Sequence, residues 1–540
     1  MKNWFASSRL TRGLLVSSQL LGAGSAWGAS LADGRACLEA SDLPCASAAA
    51  ATAGESPDAQ AFRAEVTFAR AEFAEALRLM ELASAARPSD EQMARTLKLY
   101  RATVEATDGF VTSKRGDVEI RYLPGTDLVL VDEAFEALQA AHDRIGPLLG
   151  GAPPGGVRME IYPTAERFTK ASGLPTEAVQ TTGVVALSKW TRLLVTSPRA
   201  LGRGYAWKDT IAHEYIHYIV AWRTKDQAPV WLQEGIARSH ESLWNQDQPP
   251  ALQPYQQSLL AEALAGDKLV PLERMHPSMA FLDSADEAAL AFAQVSTMMV
   301  HLRAVAGTDA VSKVLDRVRK GTDALKATAE VGTAGDVGAF MTGWRTMLAD
   351  MHLVRRKLAA MPTVLGPGED DFGIDPVLAT RRDLAGHARL GDLLREADRA
   401  EASLVEYRKA IPEGEPAPPT LSSRMAEALL TLGRTDEALA TLRASVNDYP
   451  EYATTRKSLG GILLSQGKAA DALVQFRASA DINPFDPDVQ SALADLYTSL
   501  GDATLAARHA RYRGILALGG ATPGAKSPGS RGPGANGDDG

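Results

Sequence analysis

Three glycines, Gly433, Gly467 and Gly501, stand 34 residues apart, and Pro450 and Pro484 share the same interval. A fixed period of this length restricts the C-terminal part of the chain to copies of one supersecondary unit stacked on one another. Aligned on the period, LGRTDEALATLRASVNDYP and SQGKAADALVQFRASADINP agree role by role. A glycine makes the turn, Ala438 or Ala472 sits where two helices cross closely, Leu442 or Phe476 fills the space between them, and proline ends the unit. Such a helix pair buries its apolar face only against the next pair, so about three copies are needed for a stable stack. A degenerate first copy at 397–411 and a last one in YTSLGDATLAARHARY supply them.

The pattern resembles tetratricopeptide repeats over residues 376–516, most clearly from 383. The resemblance implies an α-helical solenoid with a concave surface for a peptide or protein partner. A related pattern recurs upstream, where Ala76 precedes Pro88 by 12 residues, as Ala438 precedes Pro450. A helical hairpin is therefore expected over 58–106.

Between the helical ends the texture changes. DVEIRYLP and VRMEIYP alternate as strands do, GVVALSKWTRLLVTSP offers a hairpin or two adjacent strands, and the segment around VLVDEAFEALQAAHDRIGPLLG has helical spacing. From Thr210 to about Leu348 helices dominate, so residues 108–350 read as an α+β domain. The final 517–540, rich in Gly and Pro, has no apolar side chains to bury and reads as a disordered tail.

At the other end, Lys2, Arg9 and Arg12 precede the short apolar run Leu14–Leu21 and a set of small residues. That is the layout of a secretory signal over 1–29, which directs the protein to the periplasm or the medium. The run is shorter than the ~20 residues a membrane span needs, so no stable insertion is expected. The two cysteines, Cys37 and Cys45, fall in an Ala-rich stretch at 30–57 read as a linker, and export makes a disulfide between them plausible. A formal charge of -9 argues against nucleic-acid binding, which needs a basic surface to release phosphate counterions.

The chemistry concentrates in IAHEYIHYIV. On a helix His213 and His217 lie one turn apart on one face and can meet a single metal, while Glu214 stands on the adjoining flank, within reach of a proton on water. Asp209 or Thr210 is placed to cap the helix. Two imidazoles do not complete a catalytic zinc site. PVWLQEGIARSHE follows, with Pro229 to start a second helix, Glu234 as the third ligand, and Gly235 where a side chain would crowd the metal. Without a metal, these ionisable groups in an apolar helix would form a buried polar core that is costly to maintain.

HEYIH followed by WLQEGIA resembles the peptidase MA-like, gluzincin metallopeptidases, and the likeness extends over about residues 110–348. It implies a zincin-like fold, Zn2+ held by His213, His217 and Glu234, and Glu214 as general base in hydrolysis of a peptide or protein substrate. The GVVALSKWTRLLVTSP segment would be the edge strand that aligns substrate backbone. Two positions depart from the family. Arg238 stands where relatives carry an Asp that supports the first histidine, and Phe292 where many have Tyr. His301 is taken as the residue that stabilises the oxyanion, ahead of Tyr255 and His276. His240 and Glu241 read as solvated helix surface. A catalytically inactive metal-binding scaffold acting through its repeats, and a zinc amidase acting on cell-wall material, are the competing functions.

Overall fold

The computed structural model describes residues 30–175, 184–275, 282–358 and 381–519, together with Val179, Met279 and Leu378. The signal segment 1–29, the tail from 520 onward and His276 lie outside the described residues.

The stretch expected to be a linker is folded. Helices α1 (Leu31–Glu39) and α2 (Leu43–Ala51) are capped by Ser30 and Asp42 and joined by a Cys37–Cys45 disulfide. An alanine run has the highest intrinsic helix propensity. Here it gains a partner, because Ala46, Ala49 and Ala50 pack on Phe62, Val66 and Ala69. The hairpin expected at 58–106 is three helices: α3 (Pro57–Ala69), α4 (Phe73–Ala86) and α5 (Glu91–Ala106). Ala76 is fully buried among them.

The α+β domain is built on a five-stranded mixed sheet. Its strands are β1 (Val111–Arg115), β2 (Val118–Tyr122), β3 (Val157–Tyr162), β4 (Ala186–Lys189) and β5 (Arg192–Thr196), in the order β1-β2-β3-β5-β4. Strands β2, β3 and β5 run parallel, while β1 and β4 are antiparallel edges. GVVALSKWTRLLVTSP thus forms a hairpin, β4–β5. Trp190 and Thr191 turn it with φ of 53° and 59°, the left-handed pair that suits the twist of a two-residue turn.

Side-chain alternation gives the sheet two different faces. Val118, Ile120, Met159, Ile161, Leu193 and Val195 face the main core, with α6 (Leu128–Arg144) and α8 (Trp207–Thr224). The opposite face, which α7 (Ala165–Ser172) covers in part, carries Tyr162 and Leu194. There the guanidinium of Arg192 pairs with Glu160 at 2.9 Å and lies 4.7 and 4.6 Å from the rings of Phe68 and Phe73. This fully buried cation, enclosed by rings, fastens the N-terminal helices to the back of the sheet, away from α8.

Helices α9 (Val230–His240), α10 (Pro254–Ala265), α11 (Ala285–Ala306), α12 (Ala310–Arg319), α13 (Ala324–Gly332) and α14 (Val337–Asp350) complete the domain. Among the described residues α11 is the one helix long and apolar enough to cross a membrane, yet it is the central helix of this group, packed against α9, α10, α12, α13 and α14.

A helical solenoid follows, in four pairs: α15 (Arg382–Glu396) with α16 (Ala400–Lys409), α17 (Pro419–Thr431) with α18 (Thr435–Asp448), α19 (Ala453–Ser465) with α20 (Ala469–Ile482), and α21 (Pro487–Ser499) with α22 (Ala503–Gly519). Gly433, Gly467 and Gly501 take φ between 73° and 77° in the turns within pairs, a conformation that favours glycine. Ala438, Leu442, Ala472 and Phe476 are buried between helices. Residues 517–519, expected in the tail, belong to α22. The solenoid also sits firmly on the α+β domain: Tyr512 is fully buried in that domain's core, Phe485, Ile515 and Leu516 pack beside it, and Arg508 and Arg511 pair with Glu136 and Asp132 of α6.

Candidate metal centre

Helix α8 carries HEYIH through the domain core, with Trp207, Ile211, Tyr215 and Ile219 buried along it. It begins at Trp207, earlier than expected, so Asp209 and Thr210 lie inside its first turn and do not cap it. Thr210 donates to the Ala206 carbonyl, and Asp209 accepts from the Trp244 indole at 2.7 Å. Burial pushes the Asp209 carboxyl up to about 6.

Helix α9 begins after Pro229 and brings Glu234 to the histidine face of α8. The two imidazole Nε2 atoms are 3.0 Å apart, and the Glu234 carboxylate lies 3.4 Å from His213 Nε2 and 3.6 Å from His217 Nε2. Ligands bound about 2.0–2.1 Å from a tetrahedral zinc stand about 3.3 Å from one another. The three side chains therefore hold their donor atoms at the separations that one small cation requires, and together they form a group able to hold a metal ion.

Gly235 has a different role from the one expected. A Cβ there would come within 2.7 Å of the Val295 carbonyl and 3.2 Å of Met299, so glycine is required for α9 to approach α11 rather than to clear space around a metal.

The partner of the first histidine is Glu241, seven residues after Glu234. Its Oε2 accepts from His213 Nδ1 at 2.7 Å, which turns Nε2 toward His217 and Glu234 as the nitrogen that would meet a metal on losing its own proton. Arg238, the unexpected cation, holds Glu241 at 3.3 Å and lies over the ring of Phe292. Glu241 and His240 are thus not solvated surface. His240 is fully buried, and its Nδ1 donates to the Ile236 carbonyl at 2.9 Å.

The electrostatics of the group set burial against its own charges and hydrogen bonds. Burial and Arg238 both oppose charge on His213, yet its hydrogen bonds to Glu234 and Glu241 prevail and raise it to about 9. Burial holds His217 down to about 4 against the pull of Glu234. Burial alone would raise Glu234, but the histidine charges and hydrogen bond keep it well below the usual carboxylate range. Glu214 is nearly enclosed; burial raises it to about 7, against the charge on His213 and the backbone N–H of Ser188 on the edge strand β4.

His301 does not join this group. Helix α11 turns Val295 and Met299 toward α9, and His301 points elsewhere, its ring 5.2 Å from Phe340 and against Gly343 of α14. Six residues beyond Val295 the helix has turned about 240°, which carries His301 to another flank. Tyr255, the next candidate, donates its hydroxyl to Asp286.

No protein-family model and no curated protein matches the chain. Among solved structures, native yeast LTA4 hydrolase is 12% identical over 76% of this chain and 66% of its own, with a TM-score of 0.27. MamA is 14% identical over 27% of this chain and 82% of its own, at 0.22. YrrB, a TPR protein with an unusual peptide-binding site, is 16% identical over 28% of this chain and 93% of its own, at 0.21. Likenesses of this size carry no conclusion about activity.

Proposed function

We propose that the chain is an exported zinc metallopeptidase of gluzincin type whose solenoid, built of tetratricopeptide repeats, receives a protein or peptide partner. One observation carries the proposal: His213, His217 and Glu234 converge from two helices at ligand spacing, with Glu214 buried beside them. When bound, zinc would supply the positive charge that polarises a carbonyl and makes water more acidic.

The chain's own residues do the rest. Glu241 fixes the tautomer and orientation of His213. Glu214, with its carboxyl raised toward neutrality, takes a proton from the attacking water and returns it to the leaving amine. Strand β4, an antiparallel edge beside α8, offers backbone groups to an extended substrate. No nucleophilic cysteine is available for a covalent route, since both cysteines of the chain form the disulfide. That disulfide also supports export, because such bonds persist in oxidising compartments.

Glu214→Gln provides the test. The variant should keep its zinc while hydrolysis of a peptide library falls at least a hundredfold. Turnover at the wild-type rate would refute the assignment.

A further inference from the structure

Helix α8 must hold His213 and His217 to within a few tenths of an ångström, since zinc–ligand distances tolerate about ±0.2 Å. Its first residue, however, has no side-chain cap: Ala206 stands at the N-cap position. The solenoid supplies what is missing. We propose that the end of α20 and the residue just after it, Asp481–Asn483, act as a positioning element for the helix that carries His213 and His217, so that the repeats and the candidate metal centre move as one unit.

Three contacts carry the inference. The Tyr205 amide donates to the Ile482 carbonyl at 3.0 Å, tying the backbone just ahead of α8 to the end of a repeat. Gly204 presses on the same carbonyl with φ of +71°, so closely that a Cβ would lie 2.2 Å from the oxygen. Lys208, largely buried in the first turn of α8, bridges Asp481 at 2.5 Å and Glu133 of α6 at 2.8 Å.

Lys208 precedes His213 by five residues, about 7.5 Å along a rigid helix, so a shift at the grip reaches the ligands undiminished. A second route passes through the sheet. The Tyr205 hydroxyl donates to the carbonyl of Thr196, the last residue of β5, and β5 carries β4, whose Ser188 amide faces Glu214. The same residues of the repeat thus brace both the helix that bears the histidines and the strand beside the proposed base. Phe485, three residues after Ile482, is packed on the α+β core and keeps this turn in place.

The experiment uses the full-length mature chain with Asp481→Ala, Asp481→Glu and Gly204→Ala. Amide exchange is followed without metal, and zinc affinity by competition with a chelator. In Asp481→Ala, exchange over residues 205–214 should be at least threefold faster and zinc binding at least threefold weaker, with α15–α19 protected as before. Asp481→Glu should recover most of both, and Gly204→Ala should exceed Asp481→Ala. Wild-type exchange over 205–214 in both Asp481→Ala and Gly204→Ala would overturn the inference. So would a loss of protection spread evenly over the repeats, the mark of a general folding fault. The inference draws its importance from the metallopeptidase reading, but the exchange arm needs no metal: a wild-type chain that binds no zinc would sink that reading and leave this one to be decided by exchange.

Discussion

Glu241 is the feature by which the proposed ligand set differs from two histidines that happen to share a helix face. It accepts from His213 Nδ1 while Arg238 holds it in turn, so the orientation of the imidazole is fixed by the chain itself. Glu241→Ala should weaken zinc binding about 10–100-fold, read by chelator competition, with a smaller loss for Glu241→Gln. An affinity unchanged in the alanine variant would remove Glu241 from the site. The sequence made His213 and His217 legible because an interval of four is one turn of a single helix, and Glu234 because Pro229 opens a second helix that carries it within WLQEGIA. Glu241 was hidden by its place at the C-terminal end of α9, where an acid beside His240 reads as surface. The available signal was its interval of seven from Glu234, two turns along the same face. His301 failed for the opposite reason: a histidine on a long buried helix shows no flank until the neighbouring helices are placed.

Asp209 supports a pH prediction at the same scale. Its carboxyl rises from 3.8 to about 6 in the folded chain, chiefly through burial. A raised acid holds its proton more tightly when folded, so its contribution to stability is full below about pH 3.8 and is lost as pH rises through about 6. Asp209→Asn keeps an acceptor for Trp244 and has no charge to bury. It should therefore be level with wild type near pH 3.5 and more stable by on the order of 1–2 kcal/mol at pH 7.5, measured by denaturant midpoints. An advantage that does not change with pH would contradict this account of Asp209.

Among elements, the crossing of α9 on α11 sets where Glu234 stands. Gly235→Ala puts a methyl group against the Val295 carbonyl, and should cost about 1–3 kcal/mol in a thermal melt and displace Glu234 from the histidines. Elements whose evidence is periodic were readable from sequence: the alternating strands, the β4–β5 hairpin, and the repeat turns at Gly433, Gly467 and Gly501. The Ala-rich stretch before residue 57 was misread because small residues serve equally in a loose linker and in a tight helix contact. Burial on Phe62 and Val66 decides between them, and that contact is not local in sequence. For the same reason the upstream hairpin proved to be three helices, since one copy of a repeat pattern does not state how many helices surround it.

At the scale of the whole molecule, a repeat array and an α+β domain could be beads on a string, and the sequence read them as separate units. The packing joins them: Tyr512 and Phe485 of the solenoid lie in or against the core of the other domain, and Lys208 of α8 is shared between Glu133 and Asp481. A fragment spanning 381–519 should still melt as a helical stack, since stacked pairs support one another. Stripped of its cover, however, it should melt at a lower temperature than the same helices in the full chain, with α22 exchanging fastest. Equal protection of α22 in fragment and full chain would show that the docking contributes nothing to the array.

The central claim is that His213, His217 and Glu234 hold zinc, and elemental analysis of the purified mature chain beside Glu234→Ala tests it most directly. The account predicts about one zinc per wild-type chain and much less in the variant. No zinc in the wild type, even after incubation with the metal, or an equal content in both proteins, would contradict it.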